Sequence, residues 1–377
     1  MPDKFVMKPC CMFVLNSLNT GGSERKTLRV ANGLSRDGWD VHVCYLNPPH
    51  DLGSELDSGI ECFCLNRSGK LDIKAVKRLR AYLLERNINR VWAVNLYPAL
   101  YVFLAMLGRR DAAKAWVFVN TTEFHSRKER FQMLLYAPVL RASHGVVFGC
   151  EMQRRYWSKI YRIAKSKASV IYNGVDPDYF SPEGYEAGRV NVRRQFGFSP
   201  DDIVFGNVAM FRPEKGHDYL IDSIQRLHAE NPLVRLLLVG DGPLLPAMKE
   251  KVASLGLNDV VVFSGRHSDV RPMLSVMDAF LLVSVAVETF SNAVLEAMSM
   301  KLPVILSDIG GASEMLGEDG GLLFEPGDGN ALEGAMRYYF EPANREAFGI
   351  SARERVEERF TERSMLDCYK HTMCCAD

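Results

Sequence analysis

Two kinds of segment alternate along the chain, short runs of apolar residues and longer amphipathic stretches. The amphipathic stretches, such as KAVKRLRAYLLERN, repeat apolar residues three and four positions apart, which is the spacing of a helix with one buried face. The apolar runs are nearly continuous, as strands are when helices cover both faces of a parallel sheet. The alternation therefore predicts an α/β fold with parallel sheets.

The same order of segments begins a second time near residue 173. In the first half the predicted strands are CMFVLNSL, VHVCYLN, VWAVNL, AWVFVN and HGVVFGC, and in the second half they are IVFGNVAMF, VRLLLVGDG, VVVFSG, AFLLVS and PVILSDIG. The stretch between the halves, NGVDPDYFSP, has the Gly, Pro, Asn and Asp content of a turn-laden joint. A chain of 377 residues is too long for one ordinary core, so we expect two domains, 1–172 and 173–355. The remaining segment, 356–377, is predicted to be a helix that packs back on the first domain, although its spacing alone does not show this.

Composition excludes several classes of protein. Hydrophobic residues make up 47% and charged residues 24% of the chain, as in ordinary globular proteins. No apolar run approaches the roughly 20 residues that span a bilayer, and the N-terminal run CCMFVLNSL leads into Asn-Thr-Gly-Gly rather than into a cleavage site. The nine cysteines are odd in number and include no CxxC pair, which favours reduced thiols over a disulfide framework or a zinc site. We therefore expect a cytoplasmic protein, with a peripheral position on the inner face of the membrane as an alternative.

Charge is divided unevenly between the two halves. Residues 1–172 carry 27 Lys and Arg against 14 Asp and Glu, a net of +13, and the remainder carries 19 against 32, a net of −13. A basic half favours an anionic partner. Nothing resembles a nucleic-acid module, so we expect a membrane surface or an anionic acceptor. The segment HSRKERFQMLLYAPVLR mixes basic and large apolar residues, and it is either a membrane-surface helix or a solvated face over a core helix.

Two loops in the second half follow predicted strands, where open α/β sheets bind ligands. In VAMFRPEKG, Arg212 and Lys215 stand close enough to repel each other unless an anion such as a diphosphate lies between them, or unless Glu214 pairs with them. In LLVGDGP, Asp241 and Gly242 allow the backbone to come close to a ligand, although many strand-to-helix turns have the same form.

Two further strand ends carry candidate residues. In FSGRHSDV, Arg266 follows the strand and can frame a flat base, whereas His267 is more typical of a partly exposed loop residue. The stretch ETFSNAVLEAMSM begins a helix near Ser291 or Asn292, and the N–H groups and dipole of a helix start favour an anion.

Two glutamates lie in this last stretch. Glu288 precedes the helix and is either a ligand contact above the strand end or a solvated loop acid. Glu296 lies in the second turn within the apolar sequence AVLEAMSM, where an acid without a partner is costly, and this favours a functional role.

A glycine pair separates the first predicted strand from the first helix. In NSLNTGGSERKTLRV, Gly21 and Gly22 allow the backbone to approach a ligand. The third glycine of a dinucleotide-binding fingerprint is missing from the required register, so NAD binding is only weakly supported.

Five of these motifs occur in an order that resembles the retaining glycosyltransferases of the GT-B fold, family four. They are the glycine pair, the NGVD joint, the Arg-x-x-Lys loop, GDGP and the E-x7-E element, and the resemblance covers essentially the whole chain. It implies two Rossmann-like domains with a cleft between them, and a nucleotide-sugar donor, UDP-linked by preference, held mainly by the second domain. It also implies retention of anomeric configuration, no metal and no cofactor.

The resemblance assigns roles residue by residue. Arg212 and Lys215 would neutralise the diphosphate, Glu288 would contact the transferred sugar, and Glu296 the ribose. The implied donor-binding set is Gly22, Arg212, Lys215, Asp241, Gly242, Arg266, Glu288, Phe290, Ser291, Asn292, Ala293, Val294 and Glu296. The implied catalytic set is Glu288, Lys215, Arg212 and His125, and no metal ligand is expected.

One departure from the family pattern concerns the acceptor side. Many members carry a histidine directly after the strand that corresponds to AWVFVN, but here Asn120 stands there and His125 comes about five residues later. Either His125 still lines the site, or Asn120 or Glu123 takes its place. The predicted acceptor-side set is Gly21, Asn120, Glu123 and His125.

The predicted function is transfer of a hexose or hexosamine to a glycan or lipid-linked acceptor, as in polysaccharide or lipopolysaccharide biosynthesis. The alternatives are a GT-B phosphorylase or synthase and a non-catalytic protein that binds nucleotide sugars. The sequence does not specify the base, the sugar, the acceptor, the linkage or the oligomeric state.

Overall fold

The structure is a computed structural model that describes residues 8–19, 21–108, 113–121, 127–185 and 188–374, with the side chains of 127–129 left out. The described chain divides into two compact units. The first is built from residues up to Tyr172 together with those from Leu366 onward, and the second is Asn173–Met365. The chain first passes from one unit to the other at the start of the predicted NGVD joint.

Each unit contains one parallel sheet. The strands of the first unit are β1 (Cys10–Leu15), β2 (Asp40–Tyr45), β3 (Glu61–Cys64), β4 (Arg90–Val94), β5 (Lys114–Val119), β6 (Gly145–Phe148) and β7 (Ala168–Val170). Those of the second are β8 (Ile203–Val208), β9 (Val234–Val239), β10 (Val261–Gly265), β11 (Ala279–Leu282), β12 (Val304–Ser307) and β13 (Leu322–Phe324). The strand orders are β3-β2-β1-β4-β5-β6-β7 and β10-β9-β8-β11-β12-β13, and every pairing is parallel.

Helices follow most of the strands. They are α1 (Gly22–Arg36), α2 (Ile73–Glu85), α3 (Leu96–Ala105), α4 (Arg127–Ala142), α5 (Glu151–Tyr161), α6 (Arg189–Gln195), α7 (His217–Glu230), α8 (Leu245–Ser254), α9 (Arg271–Val276), α10 (Asn292–Ser299), α11 (Ala312–Leu316), α12 (Gly329–Tyr338), α13 (Pro342–Arg359) and α14 (Glu362–Cys374). The predicted α/β class with parallel sheets is confirmed.

The central strands are apolar because both of their faces are covered. Every residue of β6, β11 and β12 is buried. Three strands lack such a run and were not predicted, namely β3, β7 and β13. Each is short, lies at the edge of its sheet and is partly exposed, so hydrophobicity alone does not mark it.

The second unit ends at Met365, ten residues after the predicted boundary at 355. That boundary falls inside α13, whose Arg353 donates to the carbonyl of Ser299 at 2.6 Å and so ties the helix to the second unit. From Leu366 onward α14 belongs to the first unit, where Tyr369 packs on Trp92 with ring centroids 4.6 Å apart.

Candidate functional site

The strand order of the second unit places the predicted loops side by side. In a parallel sheet all carboxyl ends lie at one edge, which is where open α/β sheets bind ligands. The neighbouring strands β10, β9, β8 and β11 are followed by Arg266, by Asp241-Gly242, by the Arg212–Lys215 loop and by the loop of Glu288. The sheet therefore aligns the candidate residues in this order along its carboxyl edge.

An ion pair joins the two central loops. The Lys215 Nζ donates to Glu288 Oε2 at 2.5 Å, and the hydroxyl of Ser284 donates to the same oxygen at 3.1 Å. The Lys215 and Glu288 side chains are 21% and 16% exposed, and Ser284 is buried. Because Lys215 and Ser284 both donate to the same carboxylate oxygen, they fix the orientation of the Glu288 side chain at the strand end.

Main-chain contacts hold these loops together. Gly216 has φ +69°, and a Cβ there would lie 2.2 Å from the carbonyl oxygen of Val283, so only glycine allows this approach. The amide of Val285 donates to the Glu214 carbonyl at 2.8 Å, and the Tyr219 hydroxyl donates to the Val283 carbonyl at 2.5 Å. The position of Lys215 relative to Glu288 is thus set by backbone rather than by the ion pair alone.

The loop of Glu288 is also held from the β12 side and carries strain. A Cβ on Gly310, which has φ +63°, would lie 2.2 Å from the Glu288 carbonyl oxygen, and the amide of Gly311 donates to the Thr289 carbonyl at 2.7 Å. Val287, next to Glu288, has φ +54°, a conformation that β-branched residues rarely adopt. Strained backbone conformations of this kind persist only where the surrounding structure enforces them, and they cluster at functional sites.

Arg212 takes a less enclosed position than Lys215. Its side chain is 51% exposed, and its Nη1 lies 4.0 Å from the Glu214 carboxylate. The structure therefore brings Lys215 to Glu288, and it places Arg212 near Glu214, the local pairing considered as the alternative.

The GDG loop has a structural requirement for glycine. Gly242 has φ +154°, and a Cβ on it would lie 2.7 Å from both N and O of Phe211. The Phe211 amide donates to the Asp241 carbonyl at 3.0 Å, which ties the loop after β9 to the loop after β8. The Asp241 carboxylate accepts from the Gly242 amide at 2.7 Å and lies at the surface.

Arg266 and His267 are both exposed after β10. The His267 Nε2 lies 2.9 Å from the Ser264 carbonyl oxygen, so this ring contacts its own loop. The amide of Gly240 donates to the Gly265 carbonyl at 2.9 Å, which connects this strand end to the GDG loop.

Helix α10 starts beside the Glu288 loop. Ser291 occupies the N-cap, but its hydroxyl makes no capping hydrogen bond to the part of the chain that the structure describes. Asn292, Ala293 and Glu296 are partly buried on this helix. Its opening N–H groups have no acceptor within the helix by geometry, which suits an anion.

Two predicted donor-binding residues turn their side chains into the core. Phe290 is 4% exposed and meets Phe360 edge to face at 5.1 Å, and its carbonyl accepts from the Asn173 side chain at 2.5 Å. Val294 is fully buried. Their side chains cannot reach a ligand, so any contact from these two positions must come from the backbone.

His217 is a residue at this edge that the motifs did not single out. It begins α7 directly after Gly216, is 3% exposed and stacks on Phe211 with ring centroids 4.2 Å apart. Burial, with a smaller contribution from Lys215, lowers the pKa of His217 to about 4, so the imidazole is neutral at pH 7. The sequence feature that indicates His217 as a site residue is its position directly after Lys215 and Gly216.

The first unit carries fewer of the predicted residues in described positions. Gly21 has φ −158°, which any residue adopts, and Gly22 begins α1. The backbone amide of Asn120, after β5, donates to the Asn95 side-chain oxygen at 3.2 Å. Glu123 and His125 lie outside the described residues.

The first unit contains a buried lysine that belongs to none of the sequence motifs. Lys26 in α1 is 4% exposed, and its Nζ lies 3.8 Å from the centroid of the Phe118 ring and 5.8 Å from that of Tyr369. Burial lowers the pKa of Lys26 to about 7. The sequence signal was its spacing, because Lys26 lies one and two helical turns before Val30 and Leu34, which are buried on the same helix.

Comparison with known proteins finds a matching family model for each half of the chain. The model of the family described as "Glycosyl transferases group 1" matches residues 202–341, and that of "Glycosyltransferase Family 4" matches residues 20–179. The chain is 24% identical over 310 residues to the putative glycosyltransferase EpsF of Bacillus subtilis, covering 79% of this chain and 78% of that protein.

Two further similarities are informative. The lipopolysaccharide core biosynthesis mannosyltransferase LpsB of Rhizobium meliloti is 27% identical over 246 residues, covering 58% of this chain and 69% of that protein. The crystal structure of Anabaena HepE in complex with UDP superposes with a TM-score of 0.86 at 19% identity, covering 98% of this chain and 100% of that one. The structural match shows the GT-B fold.

Proposed function

Because this chain is a group 1 glycosyltransferase with the GT-B fold, we propose that it transfers a hexose or hexosamine from a nucleotide-diphosphate sugar to a glycan or lipid-linked acceptor. The observation that carries the proposal is the Lys215–Glu288 pair at the carboxyl edge of the second sheet. It puts one cation and one oriented carboxylate beside a helix start, and these groups suit the phosphates and the hydroxyls of a sugar diphosphate.

The proposed donor contacts follow from the chemistry of these groups. A lysine ammonium carries three donors, so Lys215 can hold Glu288 and still donate to phosphate oxygens. The start of α10 supplies backbone donors and the positive end of a helix dipole. Glu288, fixed through Oε2, would accept from hydroxyls of the transferred sugar, and Glu296 from the ribose.

UDP is the nucleotide that we favour. HepE, which shares the fold across its whole length, was crystallised with UDP. A glycan acceptor of the polysaccharide or lipopolysaccharide type is favoured because LpsB acts in lipopolysaccharide core biosynthesis.

The proposed reaction retains configuration and uses no metal. The anomeric C–O bond to the diphosphate breaks while the acceptor oxygen bonds to the same face, and the departing phosphate oxygen takes the acceptor proton. Charge grows on the leaving diphosphate, and Lys215, Arg212 and the α10 amides would stabilise it. Fixed charges of this kind contribute several kcal/mol in a water-poor site.

We propose that the protein binds an anionic membrane surface, where it would reach a lipid-linked acceptor. Helix α4 exposes Phe131, Leu134 and Leu135 by 73%, 71% and 55%, and Arg130 lies on the same helix. Large apolar residues beside basic ones fit the interface of an anionic bilayer. Within the described residues no helix has the length and apolar character needed to cross a membrane.

A thermal-shift screen against nucleoside diphosphates and nucleotide sugars tests the donor assignment. A bound donor raises the apparent melting temperature by mass action. We expect UDP and UDP-sugars to raise it, and Lys215→Ala to reduce the shift. Lys249→Ala, at an exposed lysine of α8, is the matched control and should keep it. A panel without any shift would contradict the proposal.

A further inference from the structure

Three side chains with metal-binding atoms meet at the start of β1 and β2. Cys10 pairs with Asp40 in the parallel register, and His42 lies two residues beyond Asp40 on the same face of β2. The sulfur, one carboxylate oxygen and one ring nitrogen lie within 4.8 Å of one another. This cluster is at the amino edge of the first sheet, opposite the edge from which Gly21 and Asn120 follow their strands.

A hydrogen-bonded chain fixes the tautomer of His42. The Tyr82 hydroxyl donates its single proton to Glu61 Oε2 at 2.6 Å, and Arg86 pairs with the same carboxylate oxygen at 3.0 Å. The Tyr82 oxygen lies 3.0 Å from His42 Nδ1 and must therefore accept a proton from it. Nδ1 is then the protonated nitrogen, and Nε2 carries a lone pair.

That lone pair is buried and faces a carboxylate. His42 is 2% exposed, and its Nε2 has no hydrogen-bond partner among the described residues. The nearest charged atom is Asp40 Oδ1 at 3.5 Å. His42 Nε2 is buried and Asp40 is half-exposed, and two acceptors that face each other at such a place are unfavourable unless a proton or a cation lies between them.

The surroundings of the three side chains favour a metal ion. A histidine that donates its second N–H into a tyrosine–carboxylate chain has the outer-shell arrangement of metal-bound histidines. Thiolate, imidazole and carboxylate together form a ligand set that zinc accepts.

We propose that Cys10 Sγ, an Asp40 carboxylate oxygen and His42 Nε2 bind zinc or a similar divalent ion, which links the first residues of β1 and β2. Bond lengths of about 2.0–2.3 Å place tetrahedral ligands roughly 3.5 Å apart. The three ligand atoms all lie within 4.8 Å of one another, so each separation has to close by at most about 1.3 Å. Binding replaces the thiol proton of Cys10, which passes to solvent. The Asp40 side chain is 55% exposed and gives the ion a path of entry and a solvent-filled fourth position.

Cobalt titration of the reduced, chelator-treated full-length protein tests this site. We expect one tightly bound Co²⁺, with a sulfur-to-cobalt charge-transfer band and the strong visible bands of tetrahedral coordination. Cys10→Ser should abolish the charge-transfer band, and Asp40→Asn should weaken binding at least tenfold. Cys62→Ser, at an exposed cysteine on neighbouring β3, is the matched control and should bind as wild type.

Two further measurements keep the test decisive if Cys10→Ser or Asp40→Asn folds poorly. Tyr82→Phe leaves all three ligands in place and should weaken cobalt binding about 10- to 100-fold. Zinc should raise the melting temperature of the wild type and of Cys62→Ser but not of Asp40→Asn. Absence of the charge-transfer band in the wild type would overturn the proposal, as would equal cobalt affinity in wild type, Asp40→Asn and Tyr82→Phe. A proton shared by His42 and Asp40 would then account for the cluster.

Discussion

Lys215 and Glu288 form a 2.5 Å ion pair between loops that lie 73 residues apart in the sequence and follow adjacent strands, β8 and β11. Backbone contacts at Gly216 and Val285 hold the two loops in register. The ion pair is therefore a product of the sheet order.

Replacement of Glu288 by Ala should abolish sugar transfer while the protein remains folded. The carboxylate is oriented toward the strand end by Lys215 and Ser284, and its loss removes a contact that we assign to the transferred sugar. We expect at least a 100-fold fall in kcat, the scale of losing one oriented group in a site of this kind. Steady-state transfer and circular dichroism are the measurements. Glu250→Ala, at an exposed carboxylate of α8, should transfer as wild type, and near wild-type transfer by Glu288→Ala would remove the assignment.

A pair of glycine substitutions measures how tightly the two loops are joined. Gly216 and Gly197 have φ +69° and +78°, but a Cβ on Gly216 meets the Val283 oxygen at 2.2 Å, whereas a Cβ on Gly197 meets nothing within 4 Å. Gly197→Ala should cost only the roughly 1–2 kcal/mol of the left-handed conformation. Gly216→Ala should cost about 1–3 kcal/mol more, because the loop must move. Urea unfolding of both variants is the measurement, and equal losses would show that the approach is not tight.

How far the sequence alone predicts this molecule depends on whether a feature is local. The parallel sheets, the strand ends and the positions of Lys215 and Glu288 follow from apolar runs and the loops after them, which are local patterns. The edge strands β3 and β13 are short and partly exposed, so no apolar run marks them.

Burial of polar side chains is harder to predict because it depends on contacts made after folding. Lys26 is buried by Phe118 and Tyr369, which lie far from it in the sequence. The cluster of Cys10, Asp40 and His42 exists only because β1 pairs with β2 in one register. The side chains of Phe290 and Val294 could be assigned to the core only once the packing of α10 was known.

Because of Lys26, the free energy of unfolding should depend on pH between about 7 and 10.5. Its folded pKa of about 7 lies below the value of 10.5 for an ordinary lysine, so between these values the unfolded chain binds a proton that the folded chain lacks. Stability must then rise with pH through this window, by at most about 1.4 kcal/mol per pH unit. Lys26→Met should be more stable than the wild type at pH 7, and the gap should narrow toward pH 10. Urea unfolding at several pH values measures this difference, and parallel curves for the two proteins would refute it.

The exposed apolar residues of α4 should bind anionic vesicles. We expect the wild type to sediment with phosphatidylglycerol-containing vesicles at low salt and less at high salt, because surface charge attraction is screened. A Phe131→Ser, Leu134→Ser double variant should lose most of this binding. Leu84→Ser, at a 49% exposed leucine of α2, is the control and should sediment as wild type. Sedimentation that is unchanged in the double variant would exclude α4 as the contact.

We propose that Lys215 stabilises the diphosphate of a nucleotide-sugar donor during metal-free transfer. The most direct measurement is release of nucleoside diphosphate from a panel of nucleotide sugars in the presence of EDTA, well below the melting temperature. We expect release by the wild type and by Lys249→Ala, and at least a 100-fold slower release by Lys215→Ala. Equal release by Lys215→Ala and the wild type would refute this role of Lys215, and release that EDTA abolishes would refute metal-free transfer.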